Sequence, residues 1–316
     1  MATAALVISA LSALTVLVSI VWSVAGVWAK WQRRRLPTKS GTSAAVCLLA
    51  LAGALASMVP LGAQSPAPTA AETQIYNEYI QWLSSLPPEQ RGPDMAPKYK
   101  AALAAKGLPP AEIETRLDIV DREGQRMEVA RWNSFFTADK PRFNLAPNAF
   151  LIQIAEKRTP GTALDAAMGQ GRNAIWLARQ GWQVTGFDPA DQALDVAERA
   201  AAALGLKLQT VNARFETFDF GENKWDLILL SYAGCTGGVV EKVEKGLKPG
   251  GIVVIEAFHE DAAKKFRIGG SICATGEPPH AFQGLRTIHY EEPIAMPDFG
   301  AAPMRLVRYA GEKPRP

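Results

Sequence analysis

Apolar residues along this chain change their spacing three times. Residues 2–29 carry no charge at all, a length that reaches across the roughly 30 Å hydrocarbon layer of a membrane as a helix. Trp22, Trp28 and Trp31 gather toward the C-terminal end of that run, where indole rings favour a membrane interface. A basic break follows, Lys30 to Arg35 with Lys39 beyond it, and then a second uncharged run from Ser43 to Ala63, interrupted by Pro60. The second run has two readings. It is another membrane helix, or, with the basic residues before it, a signal-like segment with Ala54-Leu55-Ala56 as a small-x-small cleavage site. By the positive-inside rule either reading keeps the basic loop cytoplasmic and sends the chain after Ala63 outside.

From Gln64 the spacing becomes helical. A Pro/Ala/Ser linker, QSPAPTAAET, leads into Ile75, Tyr79, Trp82 and Leu83 at helical intervals before Pro87-Pro88. After Pro109-Pro110 a longer helix is predicted from Ala111 toward Trp132, with Ile113, Leu117 and Val120 as its stripe. Pro147 suits a helix start, with Phe150, Leu151 and Ile154 as the apolar face.

Beyond residue 160 strand and helix periods alternate. Short apolar strands are predicted at Thr162–Leu164, Trp182–Phe187, Lys207–Val211, Trp225–Leu230 and Ile252–Phe258. Helical repeats separate them at Ala174–Gln180, Ala190–Leu204 and Val239–Leu247, and two more strands follow at Arg286–Glu291 and Met304–Tyr309. Such alternation predicts an α/β fold with a doubly wound, Rossmann-like sheet.

The first unit of that alternation carries the chemistry. Its strand ends on a carboxylate, Asp165, and a small-residue turn, Ala166-Ala167-Met168-Gly169-Gln170-Gly171, leads into the helix. Glycines there let the backbone bend and a ligand approach its amides. The second strand ends on Asp188, where a ribose diol can be hydrogen-bonded. Gly169, Gly171 and Ala174 satisfy a loose dinucleotide spacing, G-x-G-x-x-A. The acid before the turn argues otherwise, because a carboxylate repels a pyrophosphate and suits a cationic ligand.

This segment resembles the class I S-adenosylmethionine-dependent methyltransferases, nearest the bacterial tellurite-resistance and thiopurine-like group. Leu164, Asp165, Gly169, Gly171, Arg172, Asn173 and Ala174 match that group's first motif, L-D-x-G-x-G-x-G-R-N-A, with Ala167 where the first glycine usually stands. Gly181 to Asp188 matches its second motif. The resemblance implies a seven-stranded sheet whose last strand pair is antiparallel, and S-adenosylmethionine as cofactor. It implies cofactor contacts at Asp165, Ala167, Gly169, Gly171, Arg172, Asn173 and Asp188, at Ala213, Arg214 and Phe215 after the third strand, and at Ser231 after the fourth. Arg214 occupies the place where relatives carry an acid against the adenine. The resemblance also favours a lid role for the helices before residue 143, against the plainer reading of a packed appendage.

Composition narrows the rest. Net charge is +3 in 316 residues, too mild for a nucleic-acid partner, and no aromatic-basic RNA pattern is present. Cys47, Cys235 and Cys273 lie far apart with no metal spacing, which argues against a disulfide framework but leaves a Cys235–Cys273 bridge open. No metal site is expected. Tyr232 and His259, after the fourth and fifth strands, are the candidates for a reacting side chain, His259 being read as a surface residue. Methyl transfer to a soft nucleophile needs positioning more than proton removal. The expected organisation is a membrane-anchoring segment (1–63), a linker and helical lid or appendage (64–143), and a methyltransferase domain (144–316) acting on a small molecule. A nicotinamide-dependent oxidoreductase and a non-catalytic cofactor-binding module are the alternatives. The charge pattern favours export whereas the cofactor is supplied in the cytosol, so the side of the membrane stays open.

Overall fold

The computed structural model describes residues 67–87, 90–91, 95–266 and 271–316. The expected membrane-anchoring segment, residues 1–63, lies outside them. Among the described residues no helix is long and apolar enough to cross a membrane.

Three helices come first: α1 (Ala70–Ser85), α2 (Met95–Ala105) and α3 (Pro110–Phe136). Thr69 starts α1 with a reciprocal cap, accepting from the Glu72 amide while the Glu72 carboxylate accepts from the Thr69 amide. Pro110 opens α3 in the first turn, where the missing amide would have had no partner within the helix. Tyr99, Leu103 and Ile113 form a small buried core between the three helices, with Tyr79, Trp82, Leu117 and Val120 packed on it. The predicted apolar stripes therefore pack mainly on one another.

The remainder runs α4 (Ala149–Ala155), β1 (Thr162–Ala166), α5 (Arg172–Arg179), β2 (Gln183–Asp188), α6 (Asp191–Ala203), β3 (Gln209–Asn212), β4 (Trp225–Ser231), α7 (Val239–Gly246) and β5 (Leu247–His259). It ends with α8 (Glu260–Phe266), β6 (Ile272–Cys273), α9 (Glu277–Ala281), β7 (Arg286–Glu291), β8 (Ile294–Ala295) and β9 (Met304–Glu312). The main sheet order is β3-β2-β1-β4-β5-β9-β7. β1 to β5 pair in parallel, and β9 runs antiparallel between β5 and β7.

Burial on both faces explains the near-continuous apolar strands. Leu227, Leu229, Ile252 and Val254 point into one core with Phe150 and Leu177. Their neighbours Ile228, Leu230, Val253 and Ile255 point into the other with Phe187 and Trp225. Two corrections to the expected seven strands follow. β6 pairs with the end of β5 and β8 pairs with β9, making nine strands. Each is two residues long, too short for any period to appear in sequence.

Candidate functional site

Open parallel sheets hold ligands beyond the C-terminal ends of their strands, and the predicted motif residues converge there. Ala167, Gly169 and Gly171 all take left-handed backbone, with φ of 55°, 53° and 76°. Ala167 is thus an L-residue in a conformation glycine adopts more readily. Asp188 is 4% exposed and accepts the Gly169 amide at 2.9 Å and the Ala190 amide at 2.8 Å. It ties the turn after β1 to the end of β2. Burial raises its carboxyl above the usual range, against those two amide bonds.

Asp165 lies beneath the turn, 1% exposed. Its Oδ2 has no hydrogen-bond partner. Burial pushes the carboxyl up to about 7, with Arg172 and the Ala174 amide opposing and Asp188 reinforcing the shift. A buried acid with an unsatisfied oxygen is costly unless a ligand completes it. Its carboxylate fits a cationic group and opposes a phosphate.

Arg172 and Asn173 open α5 and face the other side of the rim. Arg172 donates to the Ala146 carbonyl at 2.8 Å and to Asp298 Oδ2 at 2.8 Å, with Ser231 Oγ at 3.4 Å. Asn173 Oδ1 accepts the Asn148 amide at 2.8 Å. Asn148 caps α4 through Leu151 and donates from Nδ2 to Glu256 at 2.6 Å and to Asp298 at 2.7 Å. Glu256 also accepts from Tyr232 OH at 2.8 Å and Arg308 Nε at 2.6 Å. This buried network explains why Asn148 and Arg172 are where they are. Glu256, Asp298 and Arg308 were not foreseen, since nothing in their local sequence distinguishes them from ordinary strand and loop positions.

Both candidates for a reacting side chain are tied into the scaffold, and the surface reading of His259 needs correction. Tyr232 takes left-handed backbone, φ 56°, and its hydroxyl is held between Glu256 and the Asp298 amide. Burial and the adjacent Glu256 raise its pKa, which keeps the phenol protonated and leaves no phenolate to take up a proton. His259 is not a surface residue: it is 1% exposed. Its Nε2 lies 2.9 Å from Thr275 Oγ1, and its Nδ1 accepts the Asp261 amide at 3.1 Å. Both side chains are held by hydrogen bonds within the protein.

The residues after β3 divide. The Ala213 amide donates to the Asp188 carbonyl at 3.3 Å, so Ala213 stays at the rim. Phe215 packs edge-on against Phe187 with centroids 5.1 Å apart. Arg214 reaches to α3 instead, donating to the Gln125 carbonyl at 2.9 Å and to Glu128 at 3.3 Å. Cys235, after β4, is bridged to Cys273 on β6, with Cα atoms 5.8 Å apart. A groove of about 590 Å³ opens at the opposite ends of the strands, beside Thr162, Gln183 and Gln209, and contains none of these groups.

Residues 163–251 match the sequence profile of a methyltransferase domain family. That stretch spans the turn, both acids and the strands they terminate. By that match this part of the chain is a methyltransferase-type domain. The unpartnered Asp165 oxygen beside a glycine turn suits a ligand bearing ammonium and sulfonium groups. Among curated proteins the chain is similar to a ribosomal RNA small subunit methyltransferase C from Alcanivorax borkumensis, 26% identical over 125 residues. That match covers 36% of this chain and 38% of that protein. It is also similar to a ubiquinone biosynthesis O-methyltransferase from Shewanella halifaxensis, 29% identical over 129 residues, covering 39% of this chain and 55% of that protein. The chain thus spans about half the length, or less, of the curated relatives it matches. Among solved structures it resembles TehB from Haemophilus influenzae at 17% identity, covering 52% of this chain and 62% of that one with a TM-score of 0.46.

Proposed function

We propose that this chain is a membrane-associated methyltransferase that moves a methyl group from S-adenosylmethionine to a small-molecule acceptor. The observation that carries the reading is the pair of buried acids, Asp165 and Asp188, at the ends of adjacent strands on either side of a left-handed glycine turn. Bound there, the cofactor supplies an electrophilic methyl group. Asp188 is positioned for the ribose diol, and Asp165 for the cationic end. Ala167, Gly169 and Gly171 shape the turn, and Arg172, Asn173, Ser231, Ala213 and Phe215 border it.

A small acceptor is favoured by the mild net charge and by the short connection that follows β4. One relative's name concerns a quinone and the other's a ribosomal RNA; the absence of a basic-aromatic stripe supports the first kind. With Tyr232 and His259 both engaged, the acceptor is a soft atom, such as a thiol or reduced chalcogen, that is nucleophilic without a base. The uncharged runs at 2–29 and 43–63 support the membrane attachment, which washing membranes with alkaline carbonate tests: release of the full chain would remove it.

Calorimetry with S-adenosylhomocysteine tests the cofactor reading. Asp188→Ala is expected to weaken binding by about 1.5–3 kcal/mol, the range for hydrogen bonds to a charged group. Unchanged affinity would remove Asp188 from the site. Binding without methyl transfer to any thiol, selenol, phenol or amine would leave a cofactor-binding module.

A further inference from the structure

Outside the matched segment, α3 crosses the same rim and touches the turn after β1, the start of α6 after β2 and the segment after β3. After β1, the Phe136 ring covers Gly169 so closely that a Cβ there would lie 2.6 Å from it. After β2, Asn133 donates to Asp191 Oδ1 at 2.7 Å and accepts the Gln192 amide at 3.1 Å. Asn133 is 7% exposed. After β3, Arg214 holds the Gln125 carbonyl and the Glu128 carboxylate. Glu128 is also near enough to Asp188 to act on it electrostatically.

The two halves of α3 are anchored differently. Its first half is held by the apolar core it shares with α1 and α2. Its second half leaves Met127 half-exposed and is fixed by polar contacts at the rim, by the Phe136 ring and by Phe135, which stacks on Phe143 and Phe299. That half docks on the strand ends where an adenosyl ligand lies in an open α/β sheet.

We infer that α3 forms the outer wall of the cofactor site. Phe136 is a cofactor-contacting residue, and Asn133 and Arg214 are positioning residues that latch the helix. The inference rests on the cofactor reading above. It gives Arg214 a role: the side chain that stands after β3 holds the covering helix. Docking of α3 and binding of the cofactor are then linked, each strengthening the other by the same factor.

The test uses the full chain and S-adenosylhomocysteine. Trp132 stacks on Phe136 with centroids 5.6 Å apart and reports on the site by fluorescence. In an Asn133→Ala/Arg214→Ala double variant, ligand dissociation is expected to speed up by about tenfold or more with little change in association, because interface changes act mainly on release. Phe136→Ala should do the same, and Phe136→Leu serves if that variant does not fold. Arg214→Lys should restore part of the latch. Glu114→Gln, which breaks only the outlying pair with Lys100, should leave dissociation unchanged. Hydrogen exchange over residues 125–137 should slow when the ligand saturates the wild type. Dissociation unchanged in the latch and Phe136 variants, or exchange unaffected by ligand, overturns the wall while leaving the cofactor reading standing. A wild-type chain that binds no S-adenosylhomocysteine removes both.

Discussion

The two sides of the strand-end rim are built on opposite principles. The side formed by β1 and β2 is nearly contiguous, from Asp165 to Asp188, and leaves a buried carboxylate oxygen unpaired. The side formed by β4, β5 and β9 draws Asn148, Arg172, Tyr232, Glu256, Asp298 and Arg308 from across the chain and joins them by hydrogen bonds. An unsatisfied buried acid marks a place prepared for a ligand. A satisfied network marks a scaffold, which fixes the rim and leaves few groups free for proton chemistry.

The contrast is broken most severely at Glu256. Replacing it with Ala removes the buried carboxylate that Arg308, Asn148 and Tyr232 share, leaving Arg308 only Glu291, Asn148 Nδ2 only Asp298 and the Tyr232 hydroxyl without its acceptor. The expected loss is about 3–5 kcal/mol, as when one partner of a buried ion pair is removed. Urea unfolding would measure it, and a loss below roughly 1 kcal/mol, the range of exposed pairs, would mean the network is not cooperative.

Asp165 should behave in the opposite sense. Its folded carboxyl titrates near 7, above the ordinary aspartate value of 3.8, so the folded state holds the proton more tightly. Its contribution to stability is therefore present at low pH and lost as pH rises from about 4 to about 7. The change is up to about 4 kcal/mol, since each tenfold gain in proton affinity is worth roughly 1.4 kcal/mol. Subtracting the profile of Asp165→Asn cancels other groups. A difference that stays flat from pH 4 to pH 8 would contradict the burial of an unpaired acid.

Kinetics sharpen the contrast further. On the soft-acceptor reading, Tyr232→Phe and His259→Gln should change the single-turnover rate by less than about tenfold, since both side chains are held by hydrogen bonds within the protein. A loss on the order of a hundredfold, typical of a missing base, would instead put one of them in the chemistry. The smallest effect belongs to Ala167. Its φ of 55° makes Ala167→Gly stabilising by up to about 1 kcal/mol, visible as a raised midpoint in thermal unfolding. A lowered midpoint would show that the lost methyl packing outweighs the relieved backbone.

The sequence by itself determined the contiguous half of this protein. The alternation of periods after residue 160, the acid ending each of the first two strands and the glycine turn between them are local patterns. Local patterns survive in a one-dimensional reading because helix and strand periods are set by backbone geometry. Thus Asp165, Gly169, Gly171 and Asp188 fall together at the strand ends as the spacing implied. Only the tertiary structure decided the rest. His259 sits after an apolar strand, yet whether it met solvent or Thr275 depended on β6 and the segment after it. Arg214 stood where an acid was expected, and its partner is 86 residues earlier on α3. Cys235 and Cys273, 38 residues apart, were brought to bonding distance by the pairing of β6 with β5. Such contacts join groups that no local period relates, so the fold had to bring them together before their chemistry could be read.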